Sequence, residues 1–233
     1  MQETSCHTGN RELSESEIQR LQSRGVDVSF LRDLWYKGPM ATDRRIDRIT
    51  SVLAHRQPDL RVVLEGVTIA HNASAVMRTC DAAGILYLDL ISPNPELVVF
   101  NEAITTRTDK WLEIGVHTSA TECLSGLKAR GFAIAVTRLT DEAVPYTSLD
   151  YTRPTALVFG SESDGITDEA LALADHVIRI PMVGMVQSLN LSVSVAVVLY
   201  EAFRQREAAG IFRTPRLSPS ELEELKTRWL LNK

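Results

Sequence analysis

Short apolar runs alternate with longer amphipathic segments along most of this chain. The apolar runs are rich in β-branched residues and predict strands at 61–69, 85–91, 132–137, 155–159 and 176–180. The amphipathic segments and their capping residues predict helices at 43–56, 73–83, 119–131, from the region of 190 to 209, and from 218 onward. Strands that alternate with helices are typical of an α/β fold, so we expect a mainly parallel sheet flanked by helices.

Turn and cap residues divide the 233-residue chain into three predicted regions. Residues 1–41 are expected to form an N-terminal helical arm. Residues 42–210 contain the alternating strands and helices and are predicted to form the main domain. Gly210 ends the last helix of that domain, and residues 211–233 are expected to form a helical tail.

Composition limits the classes of protein that this chain can represent. The net charge of −5 argues against a protein that coats nucleic acid with its whole surface, although a local basic face remains compatible with it. Cys6, Cys80 and Cys123 are far apart and odd in number, which argues against a disulfide framework and favours a reducing compartment. We find no apolar run of membrane-spanning length and no signal-peptide pattern, so we expect a cytoplasmic protein.

Arginine dominates two short segments of the sequence. In the first, arginine outnumbers the neighbouring acids, and its planar guanidinium matches the oxygens of a phosphate group. Solvated helix faces of mixed charge are the competing interpretation. The residues predicted to contact RNA from this segment are Arg44, Arg45, Arg48 and Arg56. The second segment contains Arg204, Arg206, Arg213 and Arg216.

Several motifs for bound groups are missing from the sequence. No G-x-G-x-x-G follows a predicted strand, so a Rossmann-type nucleotide site is unsupported. There is also no P-loop, no H-E-x-x-H and no C-x-x-C, and the five histidines are scattered. We therefore predict no metal site.

Residues 180–202 are the most informative stretch of the chain. A loop with Pro181 and Gly184 leads to Ser188 and Asn190, and both of these are good residues for the start of a helix. Unpaired backbone N–H groups at a helix start can hold a small polar ligand. The apolar run at 193–200 then predicts a buried core helix.

Three segments together resemble a known family. Residues 72–79 (NASAVMRT), 157–167 (LVFGSESDGIT) and 180–190 (IPMVGMVQSLN) resemble, in order and spacing, the three motifs of the SPOUT-superfamily RNA 2′-O-methyltransferases, TrmH type. The resemblance extends over about 42–210 and includes the segments at 56–59 and 150–154, which favour the tRNA-modifying over the rRNA-modifying members.

The resemblance implies a fold, an activity and partners. The implied fold is an α/β sheet with a C-terminal deep trefoil knot, whereas general topology rules predict no knot. The implied activity is transfer of a methyl group from S-adenosylmethionine to a tRNA ribose 2′-hydroxyl, with the D-loop guanosine at position eighteen as target. A homodimer is implied as well, because active sites of this family combine both subunits.

The resemblance also assigns roles to residues. It places Arg78, Asn72, Glu162, Ser188 and Asn190 at the catalytic centre, and Thr137, Gly160, Ile180, Met185 and Leu189 around the methyl donor. The helical wheel itself puts Arg78 opposite an apolar stripe, so its side chain is predicted to face away from the core. Asn72, Ser188 and Asn190 are also predicted helix caps.

Two other functions remain open from the sequence. The same chemistry on rRNA is one, and the segment at 150–154 argues mildly against it. The other is a catalytically silent RNA-binding domain that retains the fold. The presence of Arg78, Glu162 and Asn190 argues against a silent domain, and a test of donor binding distinguishes the two.

Overall fold

The fold is seen in a computed structural model that describes residues 19–20, 22–24, 42–66, 70–94, 108–161 and 163–231. The helices are α1 Asp43–Leu53, α2 Ala70–Ala82, α3 Ala120–Ala129, α4 Asp168–Ala172, α5 Leu191–Ala208 and α6 Pro219–Leu231. The strands are β1 Leu60–Glu65, β2 Tyr87–Ile91, β3 Glu113–His117, β4 Ala133–Thr137, β5 Val144–Pro145, β6 Thr155–Phe159 and β7 His176–Arg179.

The seven strands form one sheet in the order β3-β2-β1-β6-β4-β7-β5, and every neighbouring pair is parallel. The central strands β1 and β6 are buried along their whole length. Strands covered on both faces favour near-continuous apolar runs, as in TALVF and in the VVL segment of β1. The buried Arg61 of β1 pairs with Asp89. The predicted parallel α/β sheet is thus confirmed.

The sheet separates two apolar layers. Successive strand residues point to opposite faces, so Val62 of β1 joins the layer under α2 and α5, whereas Val63 joins the layer under α3 and α4. Each layer contains one buried cysteine in its thiol form, Cys80 in the first and Cys123 in the second. Both helical layers are therefore anchored on the same strands.

Helices α1 and α6 belong to a second compact unit, made of residues 1–53 and 218–233, while residues 54–217 form the sheet unit. Within the smaller unit, α1 packs against α6, and Arg45 donates a hydrogen bond to the carbonyl oxygen of Trp229 at 3.3 Å. The predicted boundaries at 41/42 and 210/211 differ from this division. The sequence prediction places the helix at 43–56 in the main domain, whereas α1 belongs to the smaller unit and buries Ile46, Ile49 and Leu53.

Most predicted elements are found, with ends that shift by a few residues. Ser119 caps α3 by accepting a hydrogen bond from the Glu122 amide, and Gly210 follows α5 in a left-handed conformation at φ +73°. Three short elements, β3, β5 and α4, were not predicted. The apolar run at 193–200 is only partly a core helix: Val195 and Val198 are buried, and other positions of α5 are exposed.

Two further predictions concern threading and the membrane. The trefoil knot stays a prediction of the resemblance, since strand order alone does not show how the chain passes through itself. None of the described helices combines the length and the apolarity that crossing a lipid bilayer requires. The arm at residues 1–41 lies largely outside the described residues, which include only short helical pieces at 19–20 and 22–23.

Candidate functional site

The residues predicted to hold the donor lie along one edge of the sheet. Thr137 is the last residue of β4, Gly160 follows β6, and Ile180 follows β7. These three strands are neighbours in the order β6-β4-β7 and run parallel, so their carboxyl ends meet at the same edge. In open α/β sheets, the crevice outside this edge is the usual place for a ligand. The Thr137 hydroxyl donates to the Val158 carbonyl oxygen at 3.2 Å, so this side chain is already bonded within the sheet.

Helix α2 brings the first motif to the same edge. It begins at Ala70, soon after the carboxyl end of β1, and β1 is the neighbour of β6. The side-chain nitrogen Nδ2 of Asn190 donates a hydrogen bond to the side-chain oxygen Oδ1 of Asn72 at 3.3 Å. The first and third motifs therefore meet beside the second, although 118 residues separate the two asparagines in the chain.

The cap predictions differ in outcome for the two asparagines. Asn190 is the N-cap of α5, and its Oδ1 accepts from the Ser192 amide at 2.9 Å, as predicted. The N-cap prediction for Asn72 is wrong, because α2 begins two residues earlier and places Asn72 in its first turn. Ser188 is exposed in the preceding loop and caps no helix.

Arg78 lies on the solvent side of α2, as the helical wheel predicted. The stripe opposite it is buried and consists of Ala73, Val76, Met77, Cys80 and Ala83. Arg78 follows Asn72 by six residues, which is about 9 Å along the helix axis at 1.5 Å per residue. Within the described part of the chain, its guanidinium has no hydrogen-bond or ion-pair partner. A charged group that is exposed and unpaired near the site is available to bind an anion.

Residues 160–167, which we call the glycine loop, form a tight turn held by the backbone. The Gly165 amide donates to the Ser161 carbonyl oxygen at 3.0 Å, and Gly165 adopts φ +68°. A Cβ atom on Gly160 would lie 2.1 Å from the carbonyl carbon and oxygen of Gly165. Gly160 therefore permits the close approach of another part of its own loop. From the sequence, Gly160 was predicted to lie next to the methyl donor. Glu162 lies outside the described residues.

Glu65 anchors this loop and was not predicted as a site residue. It is the last residue of β1, only 5% exposed, and it accepts hydrogen bonds from the Thr167 hydroxyl at 2.6 Å and the Thr167 amide at 3.0 Å. Thr167 is in turn the N-cap of α4. The sequence signal was a carboxylate directly after the apolar run Val62–Leu64, since a buried carboxylate needs donors close by.

Residues 180–190, which we call the methionine loop, expose apolar side chains. Val183 and Met185 are 104% and 99% exposed, and Val186 is exposed as well. Leu189 is half-buried at the end of the loop. Contiguous exposed apolar groups mark surfaces that a ligand or another protein covers.

The structure corrects the predicted RNA contacts. Arg56 is 0% exposed and donates to the carbonyl oxygens of Ile85 at 2.7 Å and Trp111 at 3.2 Å, so the prediction that it contacts RNA is wrong. Arg44 and Arg48 are exposed on α1, whereas Arg45 is half-buried. For these three residues an RNA contact stays a prediction.

The second arginine segment also differs from expectation. Arg206 is fully buried and paired with Asp59, and Arg216 pairs with the same carboxylate. Arg204 pairs with Glu201 on the surface of α5. These ion pairs leave less free positive charge here than the sequence suggested.

One group of side chains has the spacing of metal ligands. Asp89, His117 and Cys123 each place one ligand atom within 4.8 Å of the others. Arg61, however, donates to Asp89 Oδ2 at 2.8 Å, and His117 Nε2 lies 3.0 Å from Asp89 Oδ1. Burial raises the pKa of the Cys123 thiol to about 12. A guanidinium beside a protonated thiol disfavours a cation, so the arrangement fits an ion-pair network better than a metal centre.

Comparison with known proteins bears on this site. Residues 59–200 match the model of the SpoU rRNA Methylase family. The chain belongs to this family. The matched range contains all three motifs at the sheet edge and excludes both helices of the smaller unit.

Individual relatives support the same family. The chain is 47% identical over 189 residues to the tRNA (guanosine(18)-2′-O)-methyltransferase of Thermus thermophilus, in a match that covers 81% of this chain and 97% of that one. It is similar to the crystal structure of the A. aeolicus TrmH/SpoU tRNA modifying enzyme, with a TM-score of 0.77 and 41% identity over 82% of this chain and 98% of that one. A 23S rRNA (guanosine-2′-O-)-methyltransferase of Pseudomonas syringae is 35% identical over 65% of this chain and 60% of its own length.

Proposed function

We propose that this protein is an S-adenosylmethionine-dependent tRNA ribose 2′-O-methyltransferase that modifies guanosine 18 of the D-loop. The observation that carries the proposal is the hydrogen bond between Asn190 and Asn72, because it joins the first and third motifs beside the glycine loop. The Thermus relative, nearly half identical and matched over almost its full length, carries this activity in its name.

The edge of the sheet offers groups that suit the donor. Backbone groups at Thr137, Gly160 and Ile180 lie at neighbouring strand ends, and the methionine loop adds Met185 and Leu189 as apolar cover for an adenine ring. Bound there, S-adenosylmethionine supplies an electrophilic methyl group. The protein contributes orientation, because methyl transfer requires the ribose oxygen to lie in line with the methyl carbon.

Arg78 is assigned an electrostatic role in this reaction. A ribose 2′-hydroxyl loses its proton as the new C–O bond forms, so negative charge develops on the oxygen. An arginine side chain stays protonated in proteins, which makes it a poor base and a good partner for an alkoxide or a phosphate. We propose that Arg78 binds the phosphate of the target nucleotide and stabilises the developing charge. Glu162 orients Arg78 or the ribose, and Ser188 with Asn190 shapes the approach of the RNA.

Exposed apolar side chains support the proposal of a homodimer. Val193 and Tyr200 of α5 are 46% and 49% exposed. Helix α5 follows the methionine loop directly, so these two residues add to the exposed apolar side chains of that loop. We propose that a second copy of the chain covers this surface. From the sequence, Trp35 or Trp229 is a further candidate for this contact, but Trp229 is 2% exposed within its own unit and offers little area for it. Trp35 lies outside the described residues.

The remaining proposals concern RNA contact and location. Arg44 and Arg48 stand one helical turn apart on α1, which gives two guanidinium groups the spacing to bind neighbouring phosphates. From a tRNA substrate we infer that the enzyme acts in the cytoplasm.

Methylation of rRNA is the second candidate. The specific observation in its favour is the relative that acts on 23S rRNA. That match extends over a smaller share of both chains than the match to the Thermus tRNA enzyme, so tRNA is preferred.

The test is methyl transfer from labelled S-adenosylmethionine to unmodified tRNA and rRNA transcripts, with the modified nucleotide identified. Label on the ribose of D-loop guanosine is the expected result. Arg78→Ala should lower turnover at least about 100-fold, the scale for removing a charge-stabilising group, and leave donor binding intact. Arg130→Ala, at an exposed arginine after α3, is the control and should keep full activity. If the protein binds S-adenosylmethionine but methylates only rRNA, the proposal of a tRNA enzyme is replaced by that of an rRNA enzyme. If it does not bind S-adenosylmethionine, the result supports a catalytically silent RNA-binding domain.

A further inference from the structure

Two residues that precede β1, Arg56 and Gln57, hold the end of α2 remote from the site and the turn at 83–85 that follows it. Backbone carbonyl groups at a helix C-terminus and in the turn beyond it need donors from outside the helix. Arg56 donates to the carbonyl oxygen of Asp81 at 3.3 Å and to that of Ile85 at 2.7 Å. Gln57 donates from its side chain to the carbonyl oxygen of Ala83 at 2.6 Å and from its amide to that of Gly84 at 2.9 Å. The positive charge of Arg56 also suits the negative end of the helix dipole.

The same short segment binds α5. Arg206 is fully buried in the last part of α5. Its Nη1 donates to the side-chain oxygen Oε1 of Gln57 at 3.2 Å and to Asp59 Oδ1 at 2.7 Å. Arg206 further donates to the backbone oxygens of Tyr151 and Arg153. Burial acts to raise the pKa of Asp59, but the hydrogen bonds and charges of Arg206 and Arg216 outweigh it and hold that pKa below its ordinary value. Arg206 therefore keeps a charged partner in the interior.

Gln57 links the turn that ends α2 to helix α5. Its side-chain nitrogen donates to the carbonyl oxygen of Ala83, one residue beyond α2, and its side-chain oxygen accepts from Arg206 of α5. The two helices pack against each other on the same face of the sheet. At their other ends they are joined by the bond between Asn72 and Asn190. The pair is thus fixed at both ends, and α2 carries Arg78 between them.

We propose that Gln57 is a positioning residue for methyl transfer, acting with Arg206 to set the position of α2 along α5 and so the position of Arg78 at the site. This inference rests on the proposed function. A shift of about 1 Å in a group that orients reacting atoms lowers a rate about 100-fold even when the change is far from the chemistry. Gln57 touches neither donor nor RNA in this scheme, because it lies at the amino end of β1 while the site lies at the carboxyl end.

Gln57→Met tests the inference, with Gln205→Met as the matched control. Methionine has nearly the volume of glutamine and removes both hydrogen bonds. Gln205 is one residue from Arg206 and also makes partly buried hydrogen bonds, to the Leu149 oxygen and the Tyr151 amide, but none to α2. Both variants should lose similar thermal stability. We expect kcat to fall about tenfold or more in Gln57→Met only, with the Kd for S-adenosylmethionine and the KM for tRNA within twofold of wild type.

Three outcomes decide the matter. Equal kcat in the two variants at equal thermal stability overturns the positioning role and leaves Gln57 as a structural residue. A wild-type protein that methylates no RNA overturns the proposed function instead, which keeps the two failures distinct. If Gln57→Met does not fold, Gln57→Glu takes its place. That variant keeps the acceptor for Arg206 and removes the donor to Ala83, and an unchanged kcat would again contradict the inference.

Discussion

The glycine loop and the methionine loop lie at the same edge of the sheet and are stabilised in opposite ways. The glycine loop is closed by the Gly165 to Ser161 backbone bond and anchored by Glu65 through Thr167. The methionine loop instead turns Val183 and Met185 fully outward. One loop is shaped by the protein alone, whereas the other presents surface that becomes favourable only when something covers it.

This difference indicates a division of work at the site. A loop whose polar groups are already satisfied holds its shape before any ligand arrives, which lowers the cost of ordering it on binding. A loop with exposed apolar side chains gains most of its stabilisation on association, because the hydrophobic effect scales with the area removed from water. We therefore expect changes in the glycine loop to affect the isolated chain, and changes in the methionine loop to affect the assembled enzyme.

Gly160→Ala should have the largest effect. The added Cβ meets the backbone of Gly165 at 2.1 Å, which no side-chain movement relieves, so the glycine loop must open. We expect methyl transfer to fall more than about 100-fold, as for other displacements of a site, with weaker donor binding in calorimetry. Gly126→Ala is the control: a Cβ there meets nothing within 4 Å, and the change within α3 should stabilise the protein by about 0.5–1 kcal/mol. Normal activity in Gly160→Ala would show that the loop is not rigid.

Met185→Ser should act on association and spare the fold. Burying a methionine side chain contributes about 1.5–3 kcal/mol, so we expect the dimer dissociation constant, measured by sedimentation, to rise about tenfold or more. Thermal unfolding of the dilute monomer should be unchanged, because Met185 is 99% exposed in the single chain. Leu231→Ser, at an exposed apolar residue of α6, should change neither quantity. Loss of monomer stability in Met185→Ser would contradict the comparison.

Glu65→Gln should weaken the anchor of the glycine loop. An amide in place of the carboxylate accepts a hydrogen bond from Thr167 less strongly and adds a donor where two donors already converge. Hydrogen bonds to charged groups contribute about 1.5–3 kcal/mol, so we expect the free energy of unfolding to fall by about that amount. A double-mutant cycle with Thr167→Val checks the assignment, since the two losses should be less than additive. Additive losses would mean that the two side chains act independently.

Asp164→Asn should have the smallest effect. Asp164 is exposed, and its carboxylate accepts hydrogen bonds from Ser163 at 2.7 Å and Ser161 at 3.3 Å within the glycine loop. Asparagine keeps an acceptor and removes one negative charge from the glycine loop, at the edge of the sheet where we propose that the target nucleotide binds. We expect tRNA affinity to rise about twofold at low salt and the gain to disappear at high salt, where exposed charges are screened. A gain that persists at high salt would point to a change in loop shape.

The sequence predicted the regular part of the fold because each signal was local. The apolar run TALVF, the Ser119 cap and Gly210 each specify their own neighbourhood, and the structure confirms all three. Strand β3 was missed because EIGVH contains a glycine and lies at the edge of the sheet, where burial does not impose a continuous apolar run. Strand β5 has only two residues, too few for any periodicity.

The errors at the site share a different cause. Arg56 and Arg44 carry the same charge and were both predicted to contact RNA, yet Arg56 is buried against backbone carbonyls and Arg44 faces solvent. Only the three-dimensional position of the α2 end distinguishes them. The prediction from Asn72 as the cap placed the start of α2 at residue 73, three residues after the observed start at Ala70, and helix boundaries are the least reliable part of a sequence prediction. The convergence of the three motifs came from resemblance, because spacing along a chain does not reveal which strand ends are neighbours.

The position of the two buried cysteines gives the protein a pair of internal reporters. Cys80 lies on the buried side of α2, in the layer shared with α5, and Cys123 lies on the buried side of α3, on the opposite face of the sheet. Because burial raises the pKa of both thiols, neither reacts with an alkylating reagent until its layer opens. In a Cys6→Ser background, the labelling rate of each cysteine, resolved by mass spectrometry, would therefore measure the opening of one face independently of the other. Binding of a methyl donor or of tRNA would slow labelling first on the face that it stabilises.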